Sequence, residues 1–574
     1  MVRRLVPCLA LVSCACLVSA DRVEVEAELA RAAALIEGFA VTELPAAGEV
    51  SLSATESVTV EDLRGVALDD DPPVAGEPAD EWDPRMADDC PAEARPYAPE
   101  GIAPFRLRHF NCEFCYGGWH TWSMNQYASE HGFSIVSTYN SNPTAWAHLP
   151  EGTRFMRWGG FINWHKWMPE HDLADGRYDL LVGRDLIPLL AAEEKMQLIE
   201  GYDSIMIDLE HGRLSPEKLH EQEWYPAGAS EAERAAFEKR YYAGWAQTYV
   251  APVEALRRNG WRDISVYGWA PFGRMWHGLV DVQLDPATDW AWNAFGRDIY
   301  DSVDILNPSV YCFYWSPQNV AYTLANIDLN MALVNSADEL RPMRPYYWTL
   351  LHGGGGGERW WKGQPLPDED ARAMTALCFF TGCDGMVLWN WSGTGSHQTV
   401  KLEEGAYLML RDDCVAGELT LQRYDVIKIV GIAEDGTVTF RRVDRERFRD
   451  GWGVTDADPS YTIARDELLP HLRPRAEPVA ALIEGLALVK PFERLLREGE
   501  PAVDVSAQEQ FRDTLPIVRR VSIEGHHIVA TYDPMVLHGG QPRQIVLEDF
   551  AGHAALTLTL PADDQVRIFV LREG

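Results

Sequence analysis

The sequence predicts an α/β fold: a TIM-like (β/α) barrel of seven or eight strands, followed by a C-terminal β-sandwich-like module. Three observations carry that expectation. From about residue 104 to residue 420, short apolar or β-branched runs alternate with helical stretches. Seven or eight such units in roughly 300 residues fit a closed barrel better than an open sheet. Beyond about residue 420 the helices thin out, and alternating segments turn at Asp-Gly or Pro signals.

The chain begins MVRRLVPCLALVSCACLVSA, two arginines before a short apolar run ending in Val-Ser-Ala. This is the layout of a secretory signal over residues 1–20, cleaved after Ala20, and it implies a secreted, periplasmic or cell-envelope protein. Leu11 to Cys14 also resembles a lipoprotein processing box, which leaves Cys14 as an alternative lipid anchor. No later segment offers the ~20 apolar residues of a membrane span.

Residues 21–103 form an acidic N-terminal segment, partly linker. A helical, alanine-rich stretch from Glu26 to Gly38 precedes acidic, proline-containing runs such as DDDPPVAGEPADEWDP. Residues 21–100 carry 21 acids and 5 bases. The whole chain has a net charge of −36, and loss of Arg3 and Arg4 with the signal would take it to −38. That surplus argues against a nucleic-acid partner, which requires a basic face.

Within the barrel, residues 104–420, candidate strands are FSIVSTYN (133–140), TRFMRWGG (153–160), DSIMIDLE (203–210), DISVYGWA (263–270), DILNPSVY (304–311), MRPYYWTLL (343–351) and DGMVLWNW (384–391). Helical patterns lie between them, among them EAERAAFEKRYYAGWAQTYVAPVEALRRNG and DEDARAMTALCFFTG. Residues 421–574 make the C-terminal β-rich module, with segments such as DVIKIVGIAEDGTVTFRRV and IVRRVSIEGHHIVATYD.

Seven cysteines follow residue 20, and Cys112-Glu-Phe-Cys115 is a CxxC without a second one. A local disulfide or two buried thiols fit it better than a zinc site. The run from His352 to Glu358 lacks the Lys-Ser/Thr of a phosphate loop. It reads as a loop over the cleft or a plain surface loop, with Trp360-Trp361 available to stack on a sugar. No cofactor or metal is signalled.

In a (β/α) barrel, reacting groups sit where strands finish. The predicted strand ends are dominated by aromatics: Trp158, Tyr267 with Trp269, Tyr311 with Tyr314-Trp315, Trp348 with His352, and Trp389 with Trp391. The clear carboxylates at a strand end are Asp208 and Glu210, in IMIDLEHGR. Residues i and i+2 of a strand share a face, about 6.6–7 Å apart. Two acids so placed oppose each other's ionisation, so one can hold a proton while the other stays charged. The alternative is a solvated or structural D-x-E. No other predicted strand end supplies the second carboxylate of an ordinary glycosidase, which points to a nucleophile carried by the substrate, the 2-acetamido oxygen of an N-acetylhexosamine.

Asp208-Leu209-Glu210 after an apolar strand resembles the D-x-E of the hyaluronidase family of glycoside hydrolases. It is partly similar to the chitinase D-x-D-x-E, but Met206 occupies the first acid's place. VYGWAPF (266–272), ILNPSVY (305–311) and GMVLWNWS (385–392) resemble further segments of the hyaluronidase family, in the same order. The resemblance implies Glu210 as general acid and then base, and Asp208 as the group that orients the acetamido and stabilises the intermediate. It implies Tyr267 and Tyr311 as hydrogen-bonding residues around the sugar and Trp389 as a wall under the acetamido methyl. Packing within the barrel is the competing reading for those three. Trp269, Trp348 and Arg213 complete the candidate substrate-binding set. The family's Cys after its Tyr-Gly-Tyr-Pro-Asp strand is absent, since Trp269, Ala270, Pro271 and Phe272 stand there. Arg154, Arg157, Lys166, Arg213, Arg274 and Arg344 fall in or near cleft segments and would offset the acidity locally.

The expectation is an exported, retaining hydrolase of an N-acetylhexosamine-containing polysaccharide such as a glycosaminoglycan, with that polymer as partner. The rivals are a conventional two-carboxylate glycosidase, with Glu170, Asp172 or Glu358 as second acid, and a non-catalytic carbohydrate-binding barrel.

Overall fold

The computed structural model describes residues 22–45, 49–74, 101–116, 122–138, 149–159, 197–209, 214–268, 296–352, 361–390, 400–443, 454–455, 457–473, 478–538, 541–547, 550, 555–563 and 565–574. The signal expected over residues 1–20 lies outside these.

Eight parallel strands form the barrel: β1 (Asn111–Tyr116), β2 (Ile135–Thr138), β3 (Arg154–Trp158), β4 (Ser204–Ile207), β5 (Ile264–Tyr267), β6 (Ile305–Asn307), β7 (Tyr346–Tyr347) and β8 (Gly385–Asn390). Each pairs with its neighbour in chain order, and β8 returns to β1 with Gly385 opposite Asn111 and Asn390 opposite Tyr116. The sheet closes between β6 and β7 through parallel bridges Leu306–Met343 and Ser309–Tyr346. Arg344 N there donates to Leu306 O at 2.8 Å and Val310 N to Tyr346 O at 3.0 Å.

Strand parity sorts the side chains. Inward-facing Cys115, Ile135, Met156, Met206, Tyr346 and Val387 form one buried cluster inside the barrel. Cys112, Phe114, Ile205, Ile207 and Val266 belong instead to the larger core between strands and helices. All four residues of β4 are buried, because both faces of a parallel barrel are covered. The helix Glu231–Arg258 covers part of the outside; Ser230 and Glu233 cap its start reciprocally.

Seven of the eight strands fall inside the segments expected from the sequence. β1 does not: NCEFCY is a short strand that the CxxC reading concealed. The six described cysteines are buried thiols. Cys112 and Cys115 lie three residues apart on a strand, so they face opposite sides and form no local disulfide.

The structure also draws the domains differently. The sequence placed the barrel's end near residue 420, yet the helix Val479–Val489 packs on the barrel helix Asp368–Cys378. Their approach is close at Gly485, where a Cβ would meet Arg372 O at 2.6 Å. Buried Glu484 on one helix accepts from Arg372 Nε on the other at 2.9 Å and pairs with Arg64 at 3.0 Å. Between β8 and that helix comes a four-stranded antiparallel sheet, Tyr407–Met409, Val426–Ile432, Thr437–Arg442 and Tyr461–Ala464, with a small hairpin. It is an insertion into the barrel's last unit.

Beyond residue 500 a five-stranded and a three-stranded sheet enclose an apolar core including Val518, Val529, Leu558 and Phe569. The N-terminal segment belongs here. Val41–Leu44 pairs parallel with Arg567–Glu573, and Val50–Leu52 with Leu556–Leu560. The helix Arg22–Leu35 buries Val25, Leu29 and Ala32, a stripe at helical spacing. These residues are structural rather than linker; the acidic run 75–100 lies outside the described residues.

This C-terminal unit is tied to the barrel by Tyr532 Oη, which donates to buried Asp370 Oδ1 at 2.8 Å. Burial pushes the Asp370 carboxyl up to about 7, against the opposing Tyr532 hydrogen bond. The folded chain therefore keeps this proton where the unfolded chain releases it. Its contribution to stability is full below pH ~4 and is lost as pH rises to about 7. Asp370→Asn is expected to melt at a higher temperature relative to wild type at pH 8 than at pH 5; thermal unfolding at the two pH values checks this.

Candidate functional site

Asp208 follows β4 directly and is half-buried, while Leu209 beyond it is 2% exposed and packs in the outer core. The alternation thus continues past the strand, and Asp208 belongs to the inward set with Met206 and Ser204. Its charge is felt by the Cys115 thiol and the Tyr346 hydroxyl, both inside the barrel.

Around it stands a connected aromatic ring. Tyr267, ending β5, lies 6.0 Å from Tyr311 and 5.0 Å from Tyr346 between ring centroids. Tyr311 meets Trp348 at 5.5 Å, and Trp348 meets His352 at 5.4 Å, both edge-on. Trp389 on β8 lies 6.5 Å from Tyr346 and 6.2 Å from Trp158 on β3. Strands β3, β5, β7 and β8 and the segment after β6 thus each contribute an aromatic face.

Among the described residues, three polar atoms of this ring are buried without a hydrogen-bond partner: Tyr346 Oη, Trp348 Nε1 and His352 Nδ1. A buried donor left without a partner is costly, and polar groups of a molecule entering the ring could satisfy these atoms. Burial, followed by the neighbouring Tyr267, raises the Tyr311 hydroxyl well above its usual range and keeps it a donor. Burial and then Lys362 lower His352, which keeps its ring neutral at pH 7.

The structure brings together five of the predicted residues: Asp208, Tyr267, Tyr311, Trp348 and Trp389. Glu210, Arg213 and Trp269 lie outside the described residues, as do Glu170, Asp172 and Glu358. Trp361 is no sugar platform. It is 1% exposed and donates from Nε1 to Phe313 O at 2.8 Å.

The expected cleft arginines are placed elsewhere. Arg157 points outward, its guanidinium 6.0 Å from the centre of the Trp261 ring. Arg344 lies where β7 begins, donating to Asp384 Oδ2 at 3.0 Å, and Arg154 starts β3 and bonds Asn111 Oδ1. Both belong to the floor of the barrel, at the strand starts. Lys166, Arg213 and Arg274 lie outside the described residues.

Two inward groups escaped the sequence reading. Tyr346 stands beside Tyr347 in the expected strand MRPYYWTLL, and only parity separates inward Tyr346 from outward Tyr347. Glu113 was hidden with β1. It is 4% exposed, and burial pushes its carboxyl up to about 7 despite the pull of Arg344 and Arg154. Glu113 stands one inward position below Cys115, itself 0% exposed, so it cannot reach a sugar entering from the mouth.

Among the described residues, no cluster of His, Cys, Asp and Glu is arranged to hold a metal ion, and no helix is long and apolar enough to cross a membrane.

No family model matches the chain, and no curated protein matches it. Solved structures resemble the chain at low similarity. Bee venom hyaluronidase is 15% identical, covering 50% of this chain and 93% of its own, with a TM-score of 0.30. A GH18 chitinase from Pseudoalteromonas aurantia is 14% identical over 50% of this chain and 95% of its own, with a TM-score of 0.26. A modular endo-beta-1,4-mannanase from Cellulomonas fimi is 13% identical over 66% of this chain and 93% of its own, with a TM-score of 0.31.

Proposed function

We propose that the protein is an exported glycoside hydrolase that cleaves N-acetylhexosaminide linkages in a polysaccharide, with retention and with the substrate's own acetamido group as nucleophile. The observation that carries this reading is Asp208, inward at the end of β4 beside an aromatic ring in which, among the described residues, buried Tyr346 Oη, Trp348 Nε1 and His352 Nδ1 have no hydrogen-bond partner. Stacked sugar rings suit such walls, and sugar hydroxyls would satisfy those atoms.

In this reaction the acetamido oxygen attacks C1 as the C1–O bond to the leaving sugar breaks. Glu210 gives its proton to the departing oxygen. Asp208 hydrogen-bonds the acetamido N–H and offsets the positive charge of the oxazolinium intermediate. Water then attacks C1 from the face the leaving group vacated, Glu210 takes its proton, and the acetamido group is restored. Tyr267 and Tyr311 orient the reacting sugar, with Trp348 and Trp389 as apolar walls. Arg213 and Trp269 are proposed as further binding residues.

Glu113 supplies a third acid, but its depth gives it no role across the scissile bond. The two-carboxylate rival therefore draws no support from it.

The test is incubation of the protein with hyaluronan, chondroitin and chitin oligomers, with product sizes read by mass spectrometry. Cleavage of N-acetylated oligomers with inertness toward their N-deacetylated forms is the expected result. Equal cleavage of both would overturn the substrate-assisted mechanism, and cleavage of none would overturn the activity.

A further inference from the structure

The barrel also has a cavity on the face away from its mouth. Segments 105–108, 132–134 and 150–153 lead into β1, β2 and β3, so they stand at the strand starts. In a (β/α) barrel that is the floor, opposite the face that carries Asp208. Hydrogen bonds hold the three segments together. Phe105 N donates to Glu130 O and Gly132 N to Phe105 O, each at 3.0 Å, and Arg154 N donates to Ser134 O at 3.0 Å. Between them lies a cavity of about 190 Å³, whose lining includes Arg106, Ser134, Glu151 and Gly152. It far exceeds the ~10–15 Å³ that one water needs and falls short of the ~300 Å³ at which drug-sized sites begin. It suits a small occupant.

Among the described residues, two donors in this lining lack a partner. Ser134 Oγ is buried without a hydrogen bond. Arg106 is half-buried, and no carboxylate of the described residues pairs with its guanidinium. Its Nη1 stands 3.8 Å from where a Cβ on Gly152 would lie, beside the turn that Thr153 N closes onto Pro150 O at 3.0 Å.

The acids nearby are committed to other groups. Asp69 accepts from the main-chain N of Arg106 at 3.2 Å and from Arg108 Nη2 at 2.8 Å. Glu493 accepts from Arg108 N at 2.8 Å and from Lys490 Nζ at 2.7 Å. Glu151 is the one acid of the lining among the described residues. It is exposed, so water and salt screen its charge.

A planar guanidinium with free N–H groups and an unpartnered hydroxyl are matched by the oxygens of a carboxylate or a phosphate. Water would satisfy the hydroxyl but brings no charge to meet the cation. We propose that this cavity is a binding site for a small oxyanion, with Arg106 as its charged donor and Ser134 as its neutral one. The inference stands apart from the glycosidase reading, since the cavity shares no residue with Asp208 and the aromatic ring. An occupant would tie together the starts of three neighbouring strands, so its effect falls on stability.

The test is the melting temperature of the full chain at pH 7 in sodium chloride, sodium acetate or sodium phosphate at matched ionic strength. Acetate or phosphate is expected to raise it saturably above chloride. The anion that does so at the lower concentration tells a carboxylate ligand from a phosphate. Arg106→Gln is expected to weaken the apparent affinity about 10–100-fold and Ser134→Ala about 2–10-fold, the worth of a charged and a neutral hydrogen bond.

A wild type that acetate and phosphate stabilise no more than chloride does overturns the proposal. So does a rise that Arg106→Gln keeps undiminished, because salts excluded from any protein surface produce that. If Arg106→Gln fails to fold, Ser134→Ala decides, and an unaltered affinity overturns the site. No substrate enters the measurement, so a protein inert on every oligomer loses the enzymatic reading while the melting curves still decide this one.

Discussion

Glu210→Gln is expected to lower turnover by about 10²–10⁴-fold while leaving oligosaccharide affinity within about twofold. Glutamine matches the shape of glutamate and keeps its hydrogen-bonding reach. It cannot, however, give a proton to a leaving oxygen or take one from water. The sequence assigns Glu210 to the face of Asp208 by its two-residue spacing, and the structure places Asp208 on the inward side after β4. Binding would rest on the aromatic ring, which the substitution does not touch. A non-catalytic binding barrel predicts no change in any property. Single-turnover rates and equilibrium binding on the same oligomer, measured side by side, separate the two.

The second large effect concerns stability. Glu484→Gln is expected to cost about 3–5 kcal/mol, because it strips buried Arg372 of its carboxylate partner. Arg372 and Glu484 are about 10% and 8% exposed at their side chains, so neither can turn to water. Arg64, the other partner of Glu484, is 29% exposed and recovers solvent more readily. The pair joins Asp368–Cys378 to Val479–Val489, the seam that seats the last barrel helix after the inserted sheet. Chemical denaturation should show the loss as a lower midpoint. Replacing Arg372 and Glu484 together with Met and Leu should restore most of it, since the double change removes the stranded charge.

The contrast between these two experiments follows from what each level of description holds. The fold class was legible because its signal is local. Apolar runs such as SIMI and ISVY are buried on both faces, and that composition needs no knowledge of the partner strand. The D-x-E and most of the aromatic ring were legible for a related reason: strand ends in a parallel barrel converge, so residues distant in sequence share one mouth.

Tertiary structure decided the rest. NCEFCY carries a polar–apolar alternation too short to outweigh its two cysteines, and only its pairing with both β8 and β2 makes it the strand that closes the barrel. The arginines near the cleft segments could not be placed from sequence, because one position separates the mouth from the outer face and one strand length separates it from the floor. Val41–Leu44 and Val50–Leu52 gain their place from strands more than 500 residues away, and a helix in the expected C-terminal module turned out to complete the barrel. Glu113 lies at the same boundary: its identity is plain in the chain, but its burial arises only when eight strands close around it.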